Sequence, residues 1–292
     1  MILNELQKAL IDFNLLFKTN RLNNSNIINL YRNNTDNIGD LMCAPHLYFD
    51  KLSKFKAIDI LAHTSKNPIN IIKWINELNN NNIIVGGGGL LDRKTFKYSI
   101  ELLSETKKRG GKIVIWGAGH NNPTIKASKL YYDQINNFDL VGVRDYGVPK
   151  TEWVPCVSCM NINFDKKYRI NHDFGVIQHQ NIPIKDIDKL NFPKLINDDD
   201  FEKIIEFIGS VETLITNSYH AMYWAILMKR KVIVIPNSSK MLSFKYDSVF
   251  CDNNLNEIKR SLKKGNIYDG VLEECRNQNI QFSEKVFDYL KI

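Results

Sequence analysis

Short apolar runs alternate with longer helical patterns along most of this chain, beginning at about residue 26. Such alternation is typical of parallel βαβ units, in which each buried strand is followed by a crossover helix. In the first half it predicts strands at residues 27–31, 57–61, 82–85, 112–116 and 140–143. Helices are predicted between them at residues 41–55, 68–78, 93–108 and 125–136. The first half is therefore expected to form one doubly wound sheet.

The alternation stops at residues 148–173, a segment with two prolines that we interpret as the passage between domains. It then resumes, with strands predicted at 174–179, 213–216 and 232–236 and helices at 199–210, 219–229, 255–264 and 281–290. A chain of 292 residues accommodates two such domains. We expect an α/β protein with Rossmann-like domains at residues 1–150 and 151–292. Their parallel sheets would face a central cleft lined by the loops at the carboxyl ends of the strands.

Charge narrows the possible partners. The net charge of +7 arises from 39 basic residues that are scattered among 32 acidic ones. Nucleic-acid-binding proteins usually gather basic residues in a patch, so we expect no nucleic-acid partner. The charge suits an anionic small molecule, or a loose peripheral association with an anionic membrane surface.

The sequence also indicates a location. Residues 1–18 have an amphipathic helical pattern without the basic segment, apolar run and cleavage site of a signal peptide. The sequence has no uninterrupted apolar stretch of about 18 residues, so no membrane-spanning helix is predicted. Five cysteines without a secretory signal argue against a disulfide scaffold. We expect a cytoplasmic protein, either free or at the inner face of the membrane.

Polar residues follow the first predicted strand in the segment Asn37-Ile38-Gly39-Asp40. Gly39 permits a close backbone approach, and Asp40 can cap a helix predicted to begin at Leu41. The amide donors of such a helix start could hold an anion. The alternative is a capped turn without a ligand.

Glycines follow two further strands. Segment 86–91 places Gly87 and Gly88 where a substrate or another backbone segment would come close. Its spacing matches neither the dinucleotide fingerprint nor the phosphate-binding P-loop, which argues against NAD and ATP chemistry. Segment 116–121 adds Gly119 and His120, and His120 either serves as a general acid or base or caps a turn.

Two further strand ends carry candidate anion ligands. Arg144 could clamp a phosphate or carboxylate, or it could form an internal ion pair with Asp145. In the second half Asn217 or Ser218 can cap a helix, and His220 in its first turn can donate to an anion. The alternative there is a capped helix with a buried histidine.

The remaining candidates are a histidine and a cysteine pair. His179 ends a predicted strand and, like His220, is a candidate donor to an anion. Cys156 and Cys159 have the spacing of half a zinc site or of a redox pair. No second pair of ligands follows at finger spacing, so we expect no metal site.

The ordered motifs resemble those of the polysaccharide pyruvyltransferase family over residues 27–246: Asn-x-Gly-Asp, Gly-Gly-Gly-Leu-Leu, Trp-Gly-x-Gly, Val-Arg-Asp and Thr-Asn-Ser-Tyr-His-Ala. The resemblance implies a GT-B-like fold and transfer of a pyruvyl group from phosphoenolpyruvate to a sugar, which forms a ketal. It implies no cofactor, since phosphoenolpyruvate is a co-substrate. The acceptor would be a glycan or a lipid-linked saccharide of exopolysaccharide or capsule biosynthesis in the cell envelope.

The same resemblance implies roles for single residues. Asn37, Gly39 and Asp40 would line the acceptor side of the cleft, while the helix start at His220 would hold the donor phosphate. An imidazole, that of His220 or His120, would protonate or stabilise the donor, and Asp40 would receive the proton of the acceptor hydroxyl.

One departure from the family pattern affects the donor site. Members commonly carry Thr-x-Arg-Leu-His at the position of residues 216–220, so Ser218 stands where a donor-binding arginine is usual. Lys240, Lys245 or Arg144 could supply the missing cation.

Two other hypotheses stay open, and Ser218 in place of the arginine favours the first of them. A GT-B-like glycosyltransferase would bind the diphosphate of a nucleotide sugar at the helix start beside Ser218. A noncatalytic glycan-binding protein would instead keep its binding after loss of His220 and Asp40.

Overall fold

A computed structural model of the chain describes residues 26–124 and 126–292. The helix predicted at residues 1–18 lies outside the described residues. The described part contains two parallel β-sheets flanked by helices, which confirms the α/β class and the two Rossmann-like units.

The first sheet has seven strands, all paired in parallel. They are β1 (Ile27–Tyr31), β2 (Ala57–Asp59), β3 (Asn82–Val85), β4 (Gly88–Leu91), β5 (Ile113–His120), β6 (Leu140–Val143) and β7 (Glu152–Trp153). Their spatial order is β2-β1-β3-β5-β6-β7, and β4 pairs with β5. The helices of this part are α1 (Ile38–Leu41), α2 (Asp50–Ser53), α3 (Pro68–Asn80), α4 (Lys94–Lys108) and α5 (Lys129–Ile135).

The second sheet has five parallel strands. They are β8 (His172–Gln178), β9 (Lys194–Ile196), β10 (Val211–Thr216), β11 (Lys231–Val234) and β12 (Val249–Phe250), in the spatial order β12-β11-β10-β8-β9. The helices that follow the first sheet along the chain are α6 (Phe201–Ser210), α7 (Tyr219–Leu227), α8 (Leu255–Ser261) and α9 (Val271–Leu290). Every residue of α7 is buried, so this helix lies in the core between the two units.

Two glycine-rich segments predicted as strand-end loops are partly strand. β4 occupies most of segment 86–91, and β5 continues past Trp116 to His120. Gly117 has a φ of +73°, and the β5–β6 register shifts between Trp116 and Ala118. This is a β-bulge, a conformation that glycine adopts without strain and that lets the strand extend beyond the predicted end.

The helix predicted at residues 41–55 is interrupted. α1 ends at Leu41, a 3₁₀ turn spans Pro45–Leu47, and α2 follows. The interruption follows from Pro45, which lacks an amide donor and favours the extended conformation observed at Ala44. The prediction that Asp40 caps this helix is wrong, because Asn37 caps α1 by accepting from Gly39 N at 3.1 Å.

The last helix joins the second half of the chain to the first sheet. α9 begins at Val271, well before the predicted start at residue 281. Its Phe282 and Val286 pack against Trp116 of β5, and Trp116 Nε1 donates to Asn279 Oδ1 at 2.9 Å. β7 lies just after residue 150 and pairs with the first sheet, so the domain division at that residue stays a prediction.

Candidate active site

A cleft of about 300 Å³ lies between the carboxyl ends of the two sheets. Its polar and charged lining comes from the segments after β1, β4, β5 and β6 on one side and after β8, β9, β10 and β11 on the other. These residues are Arg32, Thr35, Asn37, Asp40, Arg93, Thr95, Asn121, Arg144, His179, Gln180, Asn181, Asn197, Ser218, Tyr219, His220 and Lys240. Strand ends of open parallel sheets are where such folds bind ligands.

Arg144 is the most unusual cleft residue, because its side chain is 1% exposed. Its guanidinium carbon lies 3.9 Å from the centroid of the Tyr219 ring, and its Nε and Nη2 have no hydrogen-bond partner among the described residues. The carboxylate of Asp145 is used elsewhere, since it accepts from Tyr131 Oη at 2.7 Å and from His120 N at 2.9 Å. A buried guanidinium with unused donors is costly without an anion, which favours the anion-clamp interpretation over the internal ion pair.

Further cations share the cleft with Arg144. Burial and the nearby Arg144 lower the pKa of Lys240 to about 8, although Asp40 acts in the opposite direction. Arg93 contributes a guanidinium that has no carboxylate partner in the described part of the chain, whereas Arg32 pairs with Asp59 at 2.6 Å. The cleft is thus built for an anion with more than one negative group.

Asp40 is the one carboxylate among the described residues that line the cleft. It is the third residue of α1, and an ideal Cβ at Gly88 would lie 3.4 Å from its Oδ1. Burial raises the pKa of Asp40, and the positive charges of Lys240 and Arg144 partly oppose that rise. A carboxylate with a raised pKa is suited to accept and return a proton.

His220 lies in the first turn of α7 with its ring enclosed. Its Nε2 is 3.7 Å from Cys156 Sγ, and an ideal Cβ at Gly39 would lie only 1.9 Å from its Nδ1. Gly39 is therefore required so that the imidazole fits against α1. Burial lowers the pKa of His220 well below its ordinary value, and Arg144 and Lys240 lower it further. The imidazole of the free protein is therefore neutral at pH 7.

His120 lies behind the cleft wall. Its Nδ1 is 2.6 Å from Ser239 Oγ, its Nε2 is 3.6 Å from Asp145 Oδ1, and its ring packs edge-on against Tyr131. These contacts favour a structural role, and it does not join the described residues that line the cleft. A catalytic role for His120 stays a prediction that the geometry does not favour.

Ser239 belongs to a 3₁₀ turn, Ser239–Leu242, that carries Lys240. Ser239 N donates to Asn122 O at 3.0 Å, and Ser239 Oγ accepts from Asn122 N at 2.9 Å. Ser243 Oγ, just after the turn, donates to Asp145 Oδ1 at 2.7 Å. We call these contacts of the second half with the first sheet the clasp. Because they flank Lys240 on both sides, the clasp holds this cation in the cleft.

Two residues at the start of α7 have different surroundings. Asn217 is buried behind the cleft, where its Oδ1 accepts from His179 N at 2.7 Å and its Nδ2 donates to Ile182 O at 2.7 Å. Ser218 lines the cleft as the N-cap residue of α7 without making a side-chain capping bond. His179 also lines the cleft, and its ring Nδ1 accepts from Asn181 N at 3.1 Å.

The glycines predicted to contact substrate lie against other groups of the protein. Gly87 packs on the backbone, and its N donates to Cys43 O at 2.8 Å. An ideal Cβ at Gly119 would lie 2.7 Å from Asp145 Oδ2 and 2.8 Å from Arg144 Nε. Gly119 thus makes room for the side chain of Arg144, whereas Gly88 is required for its backbone, which has a φ of +100°. Their predicted contact with substrate stays untested.

A family model described as polysaccharide pyruvyl transferase matches residues 20–239 of the chain. The chain belongs to the polysaccharide pyruvyl transferase family. It is therefore a transferase. A comparison with curated proteins found no match.

Among the solved structures that resemble this chain is the UDP-GlcNAc 2-epimerase of Methanocaldococcus jannaschii in complex with UDP-GlcNAc and UDP. The match covers 90% of this chain and 99% of the epimerase chain. The TM-score is 0.55 and the sequence identity 10%, so the likeness concerns the fold alone. It confirms the GT-B-like arrangement of the transferase.

The structure shows which cations could replace the arginine that the family usually carries at the position of Ser218. Lys240 and Arg144 of the transferase line the cleft beside Ser218. Lys245 instead pairs with Glu274 and lies over the Trp153 ring at 5.0 Å. The structure therefore leaves Lys240 and Arg144 as the available substitutes.

Sequence reasoning missed several cleft residues, among them Arg32, Arg93 and Tyr219, whereas the amide of Asn121 lies in the cleft as segment 116–121 predicted. Arg32 directly follows β1, so the strand-end rule applied to every polar residue would have found it. Arg93 follows β4, a strand that was itself not predicted.

The described residues contain no group of three His, Cys, Asp or Glu side chains placed to hold a metal ion. Burial raises the pKa of Cys156 and takes that of Cys159 to about 12, so both are thiols at pH 7. No described helix is both long enough and apolar enough to cross a membrane.

Proposed function

We propose that this transferase moves the pyruvyl group of phosphoenolpyruvate onto a sugar of a surface glycan, such as a capsule or exopolysaccharide, or of its lipid-linked precursor. The observation that carries the proposal is the buried guanidinium of Arg144 in a cleft that also holds Lys240 and Arg93. Its Nε and Nη2 have no hydrogen-bond partner within residues 26–124 and 126–292. Phosphoenolpyruvate bears a carboxylate and a phosphate close together. The spacing of several cations around one small cavity suits such a donor.

The cleft residues also suit the chemistry of ketal formation. The acceptor offers two hydroxyls, both of whose oxygens bond to C2 of the donor, while the C2–O bond to phosphate breaks. One hydroxyl proton ends on the donor methylene, which becomes a methyl group, and the other leaves with phosphate. Asp40, whose pKa burial raises, takes a proton from the acceptor hydroxyl.

His220 would supply the proton for the methylene carbon. Its imidazole is neutral in the free protein because burial and the charges of Arg144 and Lys240 lower its pKa. A bound dianion offsets those charges and favours the imidazolium. The histidine would therefore become an acid only when the donor is present, which limits wasteful hydrolysis of the donor.

The test is incubation of the purified protein with phosphoenolpyruvate and a panel of bacterial glycans and lipid-linked saccharides. We expect phosphate release that requires an acceptor, and a product with the mass of acceptor plus pyruvate minus water. Turnover of a nucleotide sugar without any acceptor-dependent phosphate release would instead support a GT-B-like glycosyltransferase. Because the proposal needs a sugar made inside the cell, we place the reaction in the cytoplasm or at the inner face of the membrane.

A further inference from the structure

A second cavity of about 670 Å³ adjoins the cleft on the side of the first sheet. The two cavities share Arg32, Leu61 and Thr95 in their walls, so they meet at these residues. The rest of the second cavity comes from the segment after β1, from the end of β2 and from the first turn of α3. We call this cavity the side groove.

The side groove differs from the cleft in its charge. Its one cation, among the described lining residues, is Arg32, and Asp59 neutralises it at 2.6 Å. Asp59 Oδ2 also accepts from the backbone N of Asn33 and of Asn34, so its charge is used within the protein. The positive charge of the site is therefore concentrated in the cleft, while the groove is close to neutral.

Hydroxyl and amide side chains make up most of the rest of the groove wall. They belong to Asn34, Thr64, Ser65, Asn70 and Thr95, with the apolar Leu61 and Ala62 between them. In the described part of the chain, the side-chain amide of Asn34 and the hydroxyl of Thr95 have no hydrogen-bond partner. Neutral donors and acceptors beside a small apolar surface are suited to the hydroxyls and ring faces of a saccharide.

We propose that the side groove binds an uncharged saccharide of the acceptor, with the reacting sugar at the Arg32 end, where the groove opens into the cleft. This inference rests on the proposed function for the identity of the partner in the cleft. The volume lies within the range of about 300–1,000 Å³ that is common for small-molecule sites. The absence of net charge in the groove favours an uncharged acceptor. The positive charge of the cleft favours an anionic donor.

The inference can be tested by filling the groove. Asn70 is exposed on the first turn of α3 and points its amide toward Ser65 Oγ at 3.4 Å, so Asn70→Trp places an indole at the groove wall without disturbing the core. The matched control is Ile69→Trp, since Ile69 is the neighbouring exposed residue and does not line the groove. Both variants and the wild type would be applied to a printed array of neutral and acidic glycans.

We expect the wild type and Ile69→Trp to retain neutral glycans, and Asn70→Trp to bind them at least tenfold more weakly. In an active preparation Asn70→Trp should raise the acceptor KM by a similar factor. The rise in melting temperature caused by phosphoenolpyruvate should be the same for all three proteins. Equal glycan binding by all three, binding of acidic glycans alone, or no glycan binding at all would overturn the inference.

The array separates this inference from the proposed function. If phosphoenolpyruvate neither binds nor reacts while neutral glycans still depend on Asn70, the donor assignment fails and the groove assignment stands. If phosphoenolpyruvate reacts and the acceptor KM of Asn70→Trp is unchanged, the groove assignment fails and the proposed function stands.

Discussion

At the scale of single residues, Arg144 is arranged for a ligand rather than for the stability of the free protein. Its charge is buried, and two of its nitrogens lack partners in the part of the chain that the structure describes. The neighbouring carboxylate of Asp145 is engaged with Tyr131 and the backbone of His120. Desolvation of an unpaired charge costs free energy on folding, and a bound anion recovers it. Removal of this charge should therefore not destabilise the free protein but should weaken the binding of an anion.

Arg144→Met should therefore leave the melting temperature of the free protein unchanged or raise it. The same variant should weaken phosphoenolpyruvate binding by about 10- to 100-fold, because a hydrogen bond to a charged group contributes about 1.5–3 kcal/mol. Thermal unfolding with and without donor measures both effects.

The matched control is Arg276→Met. Arg276 pairs with Asp165 at 2.6 Å and donates to Cys159 O at 2.9 Å, so its loss should lower the melting temperature and leave donor binding intact. If Arg144→Met lowers the melting temperature as much as Arg276→Met does, Arg144 is a structural residue.

The lowered pKa of Lys240 predicts a pH dependence. Lys240 is charged below about 8 and becomes neutral above it, so kcat/KM for the donor should fall up to tenfold per pH unit above about 8. The free protein should become more stable over the same range, since the unfolded lysine keeps its proton up to its ordinary value of 10.5. Activity and stability should thus change in opposite directions.

The histidines do not account for a fall that begins near pH 8, because burial lowers the pKa of both His179 and His220 from 6.5. Arginine keeps its proton throughout this range, so Lys240→Arg should abolish the fall. A profile of kcat/KM against pH from 6.5 to about 9.5 for both proteins decides the point. An unchanged fall in Lys240→Arg would assign it to another group.

At the scale of elements, the clasp connects the 3₁₀ turn that carries Lys240 to the first sheet. Ser239→Ala removes the hydroxyl that contacts His120 at 2.6 Å and Asn122 N at 2.9 Å. One lost hydrogen bond corresponds to about 1 kcal/mol. Because Lys240 would then be held less firmly, we expect the donor KM to rise about fivefold and kcat to change less.

Ser248→Ala is the control, since Ser248 Oγ has no hydrogen-bond partner among the described residues. It should leave both kinetic constants unchanged. A Ser239→Ala enzyme that loses kcat with an unchanged donor KM would show that the clasp does not act through donor binding.

The elements also show what the sequence allows one to predict. Strands 27–31, 82–85 and 140–143 were predicted with the observed bounds, because each is a short run of mostly apolar residues bounded by polar residues or glycine. β4 was missed because it begins with two glycines. β9 and β12, at the two edges of the second sheet, were missed because they have only three and two residues. Such short strands exist through their pairing with β8 and β11, which local patterns do not reveal.

The site residues were likewise predicted only in part. Strand-end position placed Asp40, Arg144 and His220 in one cleft, because parallel sheets bring their carboxyl ends together. His120 and Asn217 also follow apolar runs, but β5 extends through His120 and Asn217 bonds to the backbone behind the cleft. Which way a polar strand-end residue faces depends on tertiary partners that the sequence does not specify.

At the scale of the whole molecule, the two units share a core as well as a cleft. α9 follows the second sheet in sequence but packs against the first, where Phe282 contacts Trp116 edge-on with ring centroids 5.3 Å apart. Phe282 is 0% exposed. The stability of the first sheet should therefore depend on a residue from the far end of the chain.

Phe282→Ala should lower the free energy of unfolding by about 3–5 kcal/mol, the range for removing a buried phenylalanine ring. Hydrogen exchange of the backbone amides should accelerate first in β1, β3 and β5, because the ring packs beneath that sheet. Phe250→Ala is the matched control: Phe250 is 41% exposed at the edge of the second sheet, so its loss should change stability by less than about 1 kcal/mol. If exchange in Phe282→Ala accelerates only in β8, β10 and β11, α9 stabilises the second unit instead. Faster exchange in the first sheet would show that α9, which follows the second sheet along the chain, stabilises the first.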